Sequence, residues 1–300
     1  MSQERQTAIG IGYMVMAAAV FGVMDALVKW LAGSYPTAQI MFCRSFFAFP
    51  PILFMLWRNG GGIASLHTRR LAGHGIRSIY GCLAMLCFFY SYRTLPLADV
   101  TAISFSAPIF VAVLSVWLLK EKVGPHRWSA ILVGFLGMLV ILRPGQGEGG
   151  IPAASLLVVL ATFFYSMALI QIRKLTATEN SVTTAFYFTG FCTIYTGLLM
   201  PWFWVAPTAA DWPLLIGVGL LGGLAQLFMT RAFSLAAASI VAPFDYTHLL
   251  WSVLLGWYLF GDFPDMWTWA GAAIVIASGL YILYRETVRK RVVPATAWSE

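Results

Sequence analysis

The chain has 300 residues, of which 60% are hydrophobic and only 10% charged, and its formal net charge is +7. A soluble domain carries roughly 25% charged residues; a chain this apolar cannot hide its surface from water, which excludes a soluble globular protein. The basic excess is spread over short connections and the C-terminal tail rather than gathered on a face interleaved with aromatics, and this excludes nucleic acid as a partner.

Ten apolar stretches follow one another, at 8–32, 38–57, 75–92, 97–119, 128–142, 152–171, 183–204, 212–231, 239–260 and 266–284. A helix rising 1.5 Å per residue needs about 20 apolar residues to cross a hydrocarbon core about 30 Å thick. The predicted class is therefore an all-α integral membrane protein, with the lipid bilayer as its first partner. An ionisable group inside such a span costs on the order of 2.5–3.5 kcal/mol, so each one marks a candidate site.

The first span opens like a signal peptide, with Arg5 and then Ala17-Ala18-Ala19, but it runs on through Asp25 and Lys29 and reads as uncleaved. Asp25 and Lys29 are four residues apart, share a face with Gly22, and are expected to pair in the transport path. A purely structural pair, or Lys29 snorkelling to the surface, is the alternative. Arg44, near the start of the second span, is a candidate pathway residue, with snorkelling or capping as its alternative. Tyr80, Tyr165 and Tyr187 are candidate aromatic walls of the third, sixth and seventh spans. In the fourth span Ser104 and Phe105 precede Pro108. Cys43, Cys82, Cys87 and Cys192 lie in spans without CxxC spacing, and are expected to be packed side chains rather than metal ligands or a disulfide.

The eighth span carries GVGLLGGLAQ, whose glycines favour close helix packing and whose Gln226 projects into a neighbour. In the ninth, Asp245, His248 and Ser252 fall on one helical stripe, with Tyr246 and Trp251 alongside. Pro243 donates no backbone hydrogen bond, and the carbonyl this frees is tolerated where it lines a cavity. His67, His74 and His126 are assigned to connections, which leaves His248 as the embedded histidine and a proton as a candidate coupling ion.

The loops set the orientation. Of 19 Lys and Arg, fifteen fall on one set of alternate connections and the two termini, only Arg93 and Arg143 on the other set, and Lys29 and Arg44 are embedded. That bias predicts both termini in the cytoplasm, in a bacterial-type inner (plasma) membrane. Trp57, Trp202, Trp204, Trp212, Trp267 and Trp269 stand near span ends as interfacial anchors.

Two parts of the chain resemble each other. RTLPLA at 93–98 matches RAFSLA at 231–236, and SAPIF at 106–110 matches VAPFDY at 241–246. Glu121 precedes Trp128 by seven residues, as Asp262 precedes Trp269. Five spans per half is an odd number, so the second half enters the membrane inverted. The expected units are 8–143, 152–285 (inverted) and a cytoplasmic tail at 286–300. Ten transmembrane helices as two inverted five-helix repeats is an architecture suited to alternating access, with substrate held between the halves.

The short-looped spans, the prolines of the fourth and ninth, and the stretches LLKEKVGPHRWSAILVGFLGMLVILRP and GWYLFGDFPDMWTWAGAAIVIASGLYILYRE resemble the drug/metabolite transporter superfamily. More narrowly, the whole chain is similar to its EamA-type ten-helix members. The resemblance implies a carrier of small metabolites; members include exporters of amino acids, aromatic ones among them, and carriers of vitamins, nucleotide sugars and S-adenosylmethionine. Glu121 matches the family's acidic position, and Asp262 stands where the family often has Glu. HExxH, GxSxG and P-loop signatures are missing, so neither an enzyme nor a cofactor is expected, and without an ATP-binding segment transport is passive or gradient-driven. The reading is a secondary transporter of a small-molecule substrate, an amino acid exporter. The alternatives are an uptake carrier for S-adenosylmethionine or a vitamin, and an integral membrane enzyme acting on lipid.

Overall fold

A helix satisfies its own backbone hydrogen bonds without water, and all regular structure among the described residues is helical. The computed structural model describes residues 3–58, 66–118, 125–143, 152–175, 179, 181–235 and 241–290. Among the described residues, six helical stretches are long and apolar enough to cross a membrane: Glu4–Ala32, Thr37–Arg58, Leu71–Ser91, Leu97–Leu118, Ala153–Ile172 and Trp212–Ala232. Trp128–Leu142 and Met266–Ile282 are shorter apolar helices.

The elements are α1 (Gln3–Ala32), α2 (Thr37–Phe46), α3 (Phe49–Arg58), α4 (Leu71–Ser91), α5 (Leu97–Ser104), α6 (Ala107–Leu118), α7 (Pro125–Leu142), α8 (Ala153–Leu175), α9 (Ser181–Gly197), α10 (Met200–Phe203), α11 (Trp212–Leu235), a 3-10 turn (Ala242–Tyr246), α12 (Thr247–Phe260) and α13 (Met266–Lys290). Four of the expected spans are broken, one of them, 183–204, between α9 and α10. The breaks between α5 and α6 and at the 3-10 turn lie beside Pro108 and Pro243, as their missing backbone donors require. The break between α2 and α3 falls inside the stretch expected to be one helix. Pro50 and Pro51 occupy the first turn of α3, where a proline's missing N–H costs nothing.

One assignment from the loops is corrected. Helix α4 starts at Leu71, so His74 and Arg77 belong to its first two turns rather than to a connection. Both are buried, at 0% and 4% exposure. Arg77 is therefore no part of the basic-loop signal, and His248 is not the sole embedded histidine. Glu121, Lys120, Lys122 and the end of the tail at 291–300 lie outside the described residues.

The outside of the bundle is apolar, with Trp57, Trp117 and Tyr258 largely exposed, while Gln39, Ser45, Ser78 and Ser91 are fully buried within a mainly apolar interior. The most extensive helix contacts are α1 on α11, α4 on α8 and α7 on α13. Helix α1 also packs on α12 and the 3-10 turn, α8 on α5 and α6, α2 on α9, and α5 on α12. Backbones approach closely where α7 meets α13. A Cβ on Gly137 would fall 2.7 Å from Ile274 Cγ2, and one on Gly271 would fall 2.7 Å from the Gly137 carbonyl oxygen. Small residues permit that approach, and dispersion rather than water exclusion drives packing in lipid.

Candidate functional site

Polar groups between the helices fall into three layers. The first lies at the end of the bundle where α1 stops. Lys29 forms an ion pair with Asp262 and donates a hydrogen bond to the Leu95 carbonyl at 3.1 Å, its ammonium 4.8 Å from the centre of the Phe260 ring. The expected pairing of Lys29 with Asp25 is thus corrected. Lys29, in the last turn of α1, reaches the connection after α12, while Asp25 turns to another helix. Around them Arg143 pairs with Asp265, and Thr268 donates to Asp99 at 2.8 Å. Gln39 exchanges two hydrogen bonds with the Val205 backbone, at 2.7 and 2.9 Å. Arg93 donates to the Tyr35 carbonyl at 2.8 Å.

In the same layer the Tyr35 hydroxyl and the Thr208 hydroxyl each donate to Asp211 at 2.6 Å. Hydrogen bonds from Thr208 and then Tyr35 hold the Asp211 carboxyl below the ordinary carboxylate range. The same contact, seen from the other side, raises the Tyr35 hydroxyl above its usual value. For Asp265, burial pushes the pKa up, but hydrogen bonds from Thr268 and Arg143 outweigh it, and the net shift is down.

The second layer lies one turn deeper. Asp25, 7% exposed, has Oδ2 3.3 Å from His248 Nε2, and the Tyr92 side chain stands beside it. Gly22 makes this approach possible, since a Cβ there would lie 2.8 Å from Trp251 Cβ. Ser252 shares a hydrogen bond with Thr101 at 2.8 Å, joining α12 to α5. The two proline-linked breaks touch: Phe105 stands edge-on to Tyr246, with ring centres 4.7 Å apart at 90°. The Tyr246 hydroxyl is buried without a hydrogen-bond partner. Ser104 turns its hydroxyl back to the Thr101 carbonyl at 2.7 Å, which is a local cap rather than a free group. Asp245 is not on the α12 stripe expected for it but in the 3-10 turn that precedes it. Its side chain is exposed and lies within electrostatic reach of His248 and Tyr246.

The third layer contains Arg44 and Arg77. Arg44 is 7% exposed and does not snorkel, because the break after Phe46 turns the chain and Gly222 leaves room for the guanidinium. Arg77 donates to the Thr184 carbonyl at 2.9 Å. Both stand over the ring of Phe188, with Cζ at 5.9 Å for Arg44 and 4.4 Å for Arg77. Tyr165 lies within electrostatic reach of both Arg77 and Asp245, and so links a positive pole to a negative one. Tyr187 is a brace more than a wall: its hydroxyl donates to the Leu66 carbonyl at 2.9 Å while its ring stacks on His74. Tyr80 and Gln226 are half-buried. Among the described residues no cluster of His, Cys, Asp or Glu is arranged to hold a metal ion.

Sequence reasoning passed over Arg77, His74, Phe188, Tyr92 and Thr101. His74 and Arg77 are spaced i, i+3 inside an apolar run and were legible in principle. Phe188 is one of 22 phenylalanines and carried no distinguishing signal.

Comparison with known proteins gives concordant results. The model of the EamA-like transporter family matches residues 8–143 and 152–284. The chain is 31% identical to a riboflavin transporter of Rhizobium johnstonii, over 96% of this chain and 95% of that one. It is 32% identical to the pseudopaline exporter CntI of Pseudomonas aeruginosa, over 90% and 94%. A third relative, an S-adenosylmethionine uptake transporter of Rickettsia conorii, is 30% identical over 92% and 93%. One solved crystal structure superposes with a TM-score of 0.64 at 17% identity, covering 98% of this chain and 100% of the other, which bears on the fold alone.

Proposed function

The chain belongs to the EamA-like transporter family of the drug/metabolite transporter superfamily, a multi-pass membrane protein that transports rather than catalyses, and from that membership we propose a secondary carrier working by alternating access between two inverted five-span halves. The observation that carries the reading is the contact of the two broken spans, Phe105 on Tyr246, two residues from His248 and its contact with Asp25. Interrupted helices at the interface of inverted repeats are where such carriers hold their substrates.

The helix contacts support the inverted repeat. Let the five spans of one half be α1, α2–α3, α4, α5–α6 and α7, and those of the other α8, α9–α10, α11, the 3-10 turn with α12, and α13. The first span of each half then packs on the third and the fourth of the other, while second meets second, fourth meets fourth and fifth meets fifth. Exchanging the halves leaves that list unchanged, as a two-fold axis in the membrane plane would require. In this reading both termini are cytoplasmic, and the Lys29 layer seals the outer end. Single-cysteine labelling tests the orientation: a probe at position 70 modified from outside intact cells would overturn it.

The substrate in this proposal is a small amphipathic metabolite, an amino acid with a large side chain, and the movement is export. Arginines at one pole and Asp245 at the other suit a zwitterion, and Phe105, Tyr165 and Tyr246 suit an apolar body. A second reading, uptake or exchange of S-adenosylmethionine or a vitamin, is favoured by the names of relatives about 30% identical. Counterflow in proteoliposomes preloaded with aromatic amino acids, riboflavin or S-adenosylmethionine separates the two. Exchange of phenylalanine or tryptophan is expected under the first reading, and exchange of riboflavin or S-adenosylmethionine alone would replace it with the second. His248→Gln tests a proton in the cycle, since glutamine keeps polarity but does not titrate; Asp25 and Asp245 act on the same imidazole, and Tyr92 stands beside Asp25. An unchanged pH profile of transport would assign His248 to structure.

A further inference from the structure

Arg44 and Arg77 occupy an unusual position for buried charges. Each is more than nine-tenths buried, and each has an Nε atom without a hydrogen-bond partner. Among the described residues neither forms an ion pair, and Arg44 donates no hydrogen bond at all. They sit over one aromatic ring, close enough for each to oppose the other's charge. His74 adds two further buried nitrogens without partners, Nδ1 and Nε2, on the same face of α4 one turn from Arg77. Two like charges that form no ion pair are costly in a low-dielectric interior. A protein that needed only shape would fill this space more cheaply with apolar side chains.

We propose that Arg44, Arg77 and Phe188 form a binding subsite for the carboxylate of an amphipathic substrate, with the Phe188 ring against its apolar body. The proposal rests on the carrier reading and deepens it by naming the chemical group recognised. Guanidinium groups present planar forks that match a carboxylate in two-point hydrogen bonds. The unpartnered Nε atoms are donors already desolvated, so their cost is recovered only when an anion arrives. A doubly charged phosphate suits the site less well, because Asp25 lies within electrostatic reach of Arg44 and would repel the second charge. An amino acid or a related amphoteric metabolite, with its cationic end toward Asp245, fits the distribution of charge.

The test uses the full-length protein in lipid nanodiscs, its thermal unfolding followed with benzoate and phenylacetate, with benzamide and phenylacetamide, and with inorganic phosphate at matched ionic strength. The two carboxylates are expected to raise the unfolding temperature and the two amides to leave it in place. Arg44→Gln and Arg77→Gln should weaken the apparent affinity for phenylacetate by about 10- to 100-fold, the span expected for a lost charged hydrogen bond. Arg44→Lys, which keeps the charge but not the fork, should fall between parent and glutamine variant, and it reads the same site if a glutamine variant does not fold. The proposal is overturned by equal shifts from acid and amide, by stabilisation from phosphate alone, by no shift with either carboxylate, or by a shift that survives in both variants. Counterflow distinguishes the two readings. Transport of a carboxylate-free solute, indifferent to both arginines, would remove the subsite and leave the carrier; carboxylate stabilisation with no solute transported would do the reverse.

Discussion

At the Lys29 end of the bundle the described charges between helices are matched: Lys29 with Asp262, Arg143 with Asp265, Asp99 with Thr268, Arg93 with the Tyr35 carbonyl, Asp211 with Tyr35 and Thr208. About the middle, Arg44, Arg77, His74 and Tyr246 keep buried polar atoms without partners, and Asp245 is exposed; Thr37 and Arg143 at the first end also keep one such atom each, but the charge of Arg143 is met by Asp265. The two regions use the same residue types for opposite ends. A matched pair across two parts of the chain holds them in register, whereas an unmatched charge stores an unfavourable desolvation that a ligand can relieve. The protein is thus fastened at one end and left unsatisfied in the middle, a distribution expected of a carrier and wasteful in a scaffold.

The strongest test of that contrast acts on the middle. Cys82 on α4 and Cys192 on α9 are free thiols with sulfurs 2.7 Å apart, bracketed by the two arginines. If the halves must part there during the cycle, joining the sulfurs should abolish nearly all transport. In a protein with Cys43→Ser and Cys87→Ser, mild oxidation is expected to stop counterflow and a reductant to restore it. Full transport by protein shown by peptide mass mapping to be cross-linked would mean that α4 and α9 move as one body.

Next in size is the fastened end. Lys29→Ala leaves Asp262 without its cation and should cost about 2 kcal/mol, less than a fully buried pair because both side chains retain some exposure. Lys29→Ala/Asp262→Ala should cost less than the single change. A double-mutant cycle by thermal unfolding in detergent should find coupling between 29 and 262, and none of comparable size between 25 and 29. The reverse result would restore the pairing that sequence spacing alone suggested.

In the middle the sign should change. Without ligand, Arg44→Gln removes an uncompensated charge and is expected to leave stability unchanged or raise it by about 1 kcal/mol. Arg77→Gln should be nearer neutral, because it also gives up a carbonyl contact and a ring contact. Clear destabilisation by Arg44→Gln would mean that the guanidinium holds the fold together, and the contrast between the regions would collapse.

The smallest effect concerns acid. Asp211 has a folded pKa below its unfolded value of about 3.8, so its contribution is complete above that pH and is lost as pH falls through the folded value. Tyr35→Phe removes one of the two hydroxyl donors, so its acid-unfolding midpoint should move slightly upward. The raised Tyr35 pKa works the other way: its share is present below pH 10.0 and lost as pH rises through the folded value. A variant whose acid midpoint equals the parent's would show the Tyr35 contact to be energetically idle.

Much of this was legible in the chain. Hydrophobic runs of membrane-spanning length, Pro108 and Pro243 at broken helices, and two related stretches led to the helical membrane class and to the family. Embedded Asp25, Lys29, Arg44, Asp245 and His248 were legible because charge in an apolar run stands out. Their partners were not. Helical spacing proposes Asp25 with Lys29, since i and i+4 share a face, but it cannot weigh that neighbour against an aspartate 233 residues away. The same limit hid Arg77. Near a span end a basic residue reads as a loop signal, and only the start of α4 at Leu71 draws it inside.

The sequence by itself determined that the chain lives in lipid, that its backbone is satisfied helix by helix, and where proline interrupts that pattern, because these depend on local composition and on hydrogen bonds closed within four residues. Which charges meet, and which are left unmet, was decided by the tertiary structure alone. Pairing across the bundle depends on how α1 lies on α11 and α12, on a turn at Phe47 that swings Arg44 inward, and on a glycine at 22 that lets α12 come close. A linear pattern of residues carries no record of those distances.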